Sequence, residues 1–336
     1  MGYNESITQS SNEQLLLNLV RLRYRDGVTF LELASVSTQY KYAAGAGASV
    51  SGALRNISGS VGGLNGSVAY EEIPTVQYLP LQGSEFAQRM LTPIAPETIV
   101  LMSQSGWSIE RLLLCCVERL NDLTNGPSAS GPTPTRFPTN HAFQEAARSL
   151  RRLQSQDLLS VDMRGANPDD LRPTLSFDSS KADRIGLRDE ISKAKLLIGL
   201  APKRNEFTIS SGAKTRKADE ISLKGRSLLG SLYALSHAVD VPADHSSRGF
   251  VTVSTDGQGQ LPSWRRDFLS NMFGIQVSGE KPSEAFITVS YRNHWFWISD
   301  NDLEAKTTFS LLKFLTSLQS AAGKGQAPLL TLSAGG

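Results

Sequence analysis

The sequence predicts an α+β protein of mixed helices and antiparallel strands, with one long β-hairpin of a kind that inserts into membranes. Three observations predict it. Strands and helices are interspersed without a βαβ repeat. Residues 36 to 54 and the segment returning to Tyr70 alternate in character with a period of two. No Asp, Glu, Lys or Arg lies between Lys41 and Arg55 or between Arg55 and Glu71, which leaves uncharged arms of 13 and 15 residues.

The elements follow in order. Ser11-Asn12-Glu13-Gln14 reads as a capping box for a helix whose stripe is Leu15, Leu16, Leu19, Val20 and Leu22, with Gly27 as its stop. Residues 1–27 form this N-terminal helix, and residues 28–82 the hairpin region. Residues 83–125 read as helical, from Ser84 to Leu123 with breaks near Pro93, Pro96 and Gly106. The only cysteines, Cys115 and Cys116, are adjacent on that helical run and point about 100° apart, so they read as core residues and not as a disulfide. Residues 126–138 are a Pro-rich exposed loop. Residues 139–336 form an α+β body. Its expected helices lie near 143–154, 183–198, 223–238 and from Asp302 to Ser320, where Gly323 is the stop. Its expected strands include Gly249–Ser254, Gly274–Val277, Ala285–Tyr291 and His294–Ile298, the last two joined by a turn at Arg292-Asn293.

Within 40–70, the predicted membrane-spanning part, the two faces differ. Tyr40, Tyr42, Ala44, Ala46, Ala48, Val50, Leu54, Leu64, Val68 and Tyr70 fall on an apolar, aromatic face. Ser49, Ser51, Asn65 and Ser67 fall on the small and polar one. With Arg55-Asn56-Ile57 as the turn, Tyr42 pairs with Tyr70 and Lys41 with Glu71, and the apolar faces of both arms coincide. Each arm exceeds the roughly 9–11 tilted residues that cross a bilayer in a barrel, and tyrosines suit its interfacial girdle. A lone hairpin leaves backbone groups unpaired in lipid, so insertion implies a ring of copies sharing one barrel. A soluble two-stranded ribbon and a flexible Gly/Ser loop are the competing readings; regular alternation argues against the loop.

Charge is nearly balanced, 34 basic against 32 acidic residues, which gives no reason to expect a nucleic-acid partner. Arg151-Arg152 and Arg265-Arg266 read as solvated pairs. His237, Asp240, Asp244 and His245 are the one local cluster with ligand chemistry, yet their spacing fits no zinc signature, and capping or surface roles are expected. Gly212-Ala213-Lys214-Thr215 lacks the first glycine of a P-loop, and no nucleophile pairs with a base. No enzyme, cofactor or metal is expected. His294-Trp295-Phe296-Trp297 reads as core packing or a subunit contact.

Three stretches resemble a proteobacterial family of uncharacterised envelope lipoproteins. They are Asn12–Asp26 (NEQLLLNLVRLRYRD), the run from Pro80 through Gly83-Ser84-Glu85-Phe86 to Gln104-Ser105-Gly106-Trp107-Ser108-Ile109, and Tyr291–Gln319. The resemblance implies an exported protein, lipidated at a cysteine expected, with the leader, upstream of Tyr3. In architecture, a lipoprotein with a β-hairpin and an α+β periplasmic body is similar to the curli secretion channel. The expected function is an outer-membrane-associated homo-oligomeric pore or export component with its body in the periplasm. Its expected partners are its own copies, outer-membrane lipid and another envelope protein. The alternative is a periplasmic lipoprotein scaffold that binds a protein partner through a soluble ribbon.

Overall fold

The computed structural model describes residues 3–47, 65–80, 84–126, 133–167, 170–212 and 219–321. The architecture is mixed α and β, in two compact units: Met1–Val28 with Gln82–Gly336, and Thr29–Leu81.

The first unit is built on a six-stranded sheet. In chain order its strands are β3 (Val117–Leu120), β4 (Leu123–Thr124), β5 (Leu159–Arg164), β6 (Arg172–Phe177), β7 (Glu206–Ser211) and β8 (Glu220–Gly225), arranged β4-β3-β8-β7-β6-β5. All neighbours are antiparallel except β7 and β8, which run parallel, so the expectation of antiparallel strands is corrected at this pair. A second sheet has the order β10-β11-β9, from β9 (Gln276–Ser278), β10 (Ala285–Tyr291) and β11 (His294–Ser299). Arg292 and Asn293 take φ of 48° and 63°, the pair of left-handed residues that a two-residue hairpin turn with the right twist demands.

Helices cover these sheets because their apolar residues recur at helical spacing. In α5 (His141–Ser155), Phe143, Ala146, Ala147, Leu150 and Leu153 are buried along one stripe. In α1 (Tyr3–Arg23), Leu15, Leu16, Leu19 and Val20 are buried. α4 (Ile109–Cys116) is buried all round and starts at Ser108, whose side chain accepts from the Arg111 amide. α2 (Ser84–Leu91) and α3 (Pro96–Gln104) precede it. α6 (Ser179–Ile185) and α7 (Arg188–Ile198) each end on a left-handed glycine, Gly186 and Gly199. α8 (Leu228–Ser236) is capped by Ser227, and α10 (Leu303–Ala321) by Asp302, which accepts from Ala305 N at 3.1 Å. The short α9 (Ala243–Ser247) lies between α8 and a π-helical turn, Trp264–Phe268. Gly225 has a steric reason: a Cβ there would stand 2.1 Å from the Ile94 carbonyl oxygen.

Several element expectations are corrected. α1 already runs from Tyr3, so Ser11–Gln14 lies inside a helix and caps nothing. The run after Cys116 is a strand: Val117-Glu118-Arg119-Leu120 is too short to set a period that separates helix from strand, and Val117 pairs with Gly225. Leu223 belongs to β8, not to a helix. Gly249–Ser254 forms no strand; only the adjacent Thr255 bridges to Arg136. Thr133, in the expected exposed loop, is buried, as is Asn125 just before it.

The second unit is a two-stranded antiparallel ribbon of β1 (Leu31–Gly47) and β2 (Asn65–Pro80).

Candidate functional site

The ribbon is the first candidate. Its register pairs Tyr42 with Tyr70 and Lys41 with Glu71, as the alternation predicts. From Ser35 to Gly47, even-numbered residues face even-numbered ones. Tyr42 and Tyr70, Ala44 and Val68, and Ala46 and Gly66 therefore share one face, while Gly45 and Ser67, and Gly47 and Asn65, share the other. Tyr40 sits opposite Glu72, which sets the lower limit of the uncharged zone on the apolar face. Ala48, Ser49, Val50, Ser51, Leu54, Leu64 and the turn at Arg55-Asn56-Ile57 lie outside the described residues.

One device escaped the sequence. Leu33 pairs with Tyr78 and Ser35 with Gln77, so Ala34 is an extra residue on β1, a β-bulge. Beyond it, Leu31 and Leu33 fall on the face that holds Val36, Val76 and Tyr78. Without the extra residue absorbed there, both leucines would turn to the polar face, because a one-residue slip exchanges faces.

The histidine cluster does not form a site. His237 is buried against the Trp264 ring at 4.4 Å, and its Nδ1 has no partner among the described residues. Burial, with Arg23 and Arg226 nearby, lowers its pKa to about 3. His245 instead meets Tyr24, with 2.7 Å between Nδ1 and the hydroxyl, and packs near Phe250 and His294. Both imidazoles are core groups, which corrects the expected surface role. Among the described residues no group of three or more His, Cys, Asp or Glu could hold a metal ion. His294–Trp297 lies on β11, where Phe296 is fully buried and packs against Tyr24 and Tyr291.

Sequence reasoning also missed a cleft of about 550 Å³ in the first unit. Arg111 and Glu110 of α4, Arg148 and Arg151 of α5, Glu304 of α10, and Arg266 line it. Arg111 is buried and pairs with the Glu304 carboxylate and with Thr308. Arg266 pairs with Asp267 at 2.7 Å. Glu110 is 9% exposed. Burial raises its pKa, against the opposing pull of Arg148, Arg111 and Arg151. Ser270 and Asn271 also line it, consecutive non-glycine residues with φ of 50° and 61°. Such backbone is costly and collects at functional sites. The Arg-Arg pairs carried the available signal: Arg151 and Arg266 line the cleft, while Arg152 binds Glu190 and Arg265 binds Asp302.

No helix among the described residues is long and apolar enough to cross a membrane, which does not bear on a β-barrel. Compared with known protein families, curated proteins and solved structures, the chain matches none.

Proposed function

We propose that the chain is one subunit of an outer-membrane-associated homo-oligomeric pore or export component, each copy giving one β-hairpin to a shared barrel. The observation that carries the reading is the ribbon register, which runs without slip from Ser35 to Gly47 and sets Tyr42–Gly47 opposite Asn65–Tyr70, the described ends of two uncharged, alternating arms. A two-stranded ribbon has one unpaired edge on each strand and is marginal by itself in water. Neighbouring copies would satisfy both edges and close the barrel that lipid requires.

In this reading Tyr40, Tyr42 and Tyr70 sit at the membrane interface on the body side. Ala44, Ala46, Ala48, Val50, Leu54, Leu64 and Val68 face lipid, and Ser49, Ser51, Asn65 and Ser67 line the lumen. β1 has 17 residues, and at about 3.3 Å for each step it spans roughly 50 Å, longer than a hydrocarbon core of about 30 Å. The part below Lys41 and Glu71 would therefore stand outside the bilayer and extend the channel wall. Resemblance to the envelope lipoproteins supports export, a lipid anchor upstream of Tyr3 and a periplasmic body. The reading assigns no catalytic role.

The test is negative-stain imaging of the protein expressed with a lipoprotein leader and extracted in mild detergent, beside the variant Ala46→Asp with Val50→Asp. Closed rings from the parent, and failure of the variant to enter membranes while its body stays folded, are the expected outcomes. Aspartate on the lipid face costs up to roughly 2 kcal/mol per site, and the ring multiplies that by its copies. Dispersed parent monomers would leave the scaffold that binds a protein partner through a soluble ribbon.

A further inference from the structure

We infer that the arginine-lined cleft among α4, α5, α10 and the π-helical turn is a binding site for an oxyanion, a phosphate or carboxylate group held by Arg148 and Arg151. The inference is independent of the pore reading and concerns the first unit alone.

The four arginines there are not equivalent. Arg111 and Arg266 have their carboxylates within the protein, Glu304 and Asp267. Arg148 and Arg151 have none among the described residues. Arg148 reaches only the Gln144 carbonyl of its own helix, at 3.4 Å, and Arg151 only the Gln154 side-chain oxygen, at 2.9 Å. They stand three residues apart on one helix, so they project from the same face. Most of their planar, forked donors are unused, and this geometry matches two oxygens of one phosphate or carboxylate.

Glu110 is the obvious internal counter-ion, and it does not serve. It is nearly buried, all three neighbouring arginines act on it, and yet no hydrogen-bond donor reaches it among the described residues. Burial shifts Glu110 toward its neutral form, so it opposes an incoming anion less than an exposed carboxylate would, and Arg148 and Arg151 remain the donors that such an anion meets. The cleft has room for such a group at about 550 Å³. Its lining includes the left-handed pair Ser270 and Asn271, just past the π-helical turn. Left-handed non-glycine residues and π-helical turns both recur at binding sites, because strain persists where a site needs the shape.

Calorimetric titration of the full chain at low salt and pH 7, with inorganic phosphate in one arm and citrate in the other, tests this. Saturable binding in at least one arm is expected, and the stronger arm identifies the class of oxyanion. Arg148→Ala with Arg151→Ala should weaken it at least tenfold. Both side chains are exposed and make no tertiary hydrogen bond or ion pair among the described residues, so the fold should be kept, and far-ultraviolet circular dichroism checks that it is. Arg152→Ala, which loses only a surface pair with Glu190 outside the cleft, should leave binding unchanged. Glu110→Gln, an uncharged donor of the same shape, should bind equally well or more tightly. No binding in either arm would overturn the proposal, as would equal affinity in the folded double variant. Loss of binding in Glu110→Gln would also overturn it, since Glu110 would then be receiving a cation.

Discussion

Arg226 lies in the core with no carboxylate to pair with among the described residues, and backbone carbonyls take its protons: Leu114 at 2.8 Å, Cys115 at 3.4 Å, and Asn125. The Asn125 amide donates to the Leu114 carbonyl as well and to two more of the same region, Leu113 and Val117. The C-terminal end of α4 carries a partial negative charge, so a guanidinium suits it as a buried cap. Burial lowers the Arg226 pKa only to about 10, and it stays charged at neutral pH. His237 answers the same burial by staying neutral, and that has a consequence in acid. Its pKa is about 3 in the fold against 6.5 unfolded, so between those values the unfolded chain binds a proton that the native chain refuses. The stability gained by burying the neutral ring is complete above pH 6.5 and is lost as pH falls toward 3, by up to about 1.4 kcal/mol for each pH unit. His237→Phe keeps an aromatic ring against Trp264. It is expected to flatten the dependence of urea-denaturation stability on pH between 6 and 4, leaving a residual slope from His245, whose pKa burial also lowers. An unchanged slope in that variant would mean that native His237 takes up its proton freely.

At the scale of elements, the ribbon makes the sharpest prediction, because register is all-or-none. Paired residues in an antiparallel ladder lie about 4.5 or 5.5 Å apart at Cα, within reach of a disulfide. With the bulge at Ala34, Leu33→Cys and Tyr78→Cys should cross-link under mild oxidation, while Leu33→Cys with Leu79→Cys should not. The reverse would remove the bulge and turn Leu31 and Leu33 to the polar face. Buried Cys115 and Cys116 should give little background. This bulge also marks the limit of what the amino-acid sequence made legible. Alternation from Val36 onward identified the pairing of Tyr42 with Tyr70 because the period held without a break; at Ala34 the period shifts by one residue, and only the partner strand reveals it. The hairpin at Arg292-Asn293 was legible because its residues and flanking aromatics all agree. The strand after Cys116 was not, because Val117–Leu120 is only one short segment following directly on the helix, too short for a period of its own. The cleft was hidden for another reason. Glu110, Arg148 and Glu304 are far apart in sequence, and only the packing of α4, α5 and α10 shows that Arg148 and Arg151 lack the carboxylates that Arg152 and Arg265 have.

At the scale of the molecule, the chain divides into two units, and under the pore reading folding would belong to one and assembly to the other. Around the six-stranded sheet and its helices, the buried residues of the first unit run from Leu15 to Leu315. The ribbon begins and ends at one place, since Leu31 pairs with Pro80. Replacing Leu31–Leu81 with a Gly-Gly-Ser-Gly connection, which keeps buried Phe30, therefore asks the chain to bridge a gap that the first ribbon pair already closes, and loop-closure cost at that length is small. The shortened protein is expected to fold, with a urea midpoint close to the parent's, because Phe30 and the buried residues of the first unit are all kept. If copies associate through a shared barrel, the same deletion should convert detergent-extracted rings into monomers that need no detergent, as read by analytical ultracentrifugation. Rings that survive the deletion would place the subunit contact in the α+β body and leave the ribbon free to engage something else. Collapse of the body on deletion would mean that the ribbon supports the fold itself, and the ribbon would then be poorly placed to leave it for a membrane.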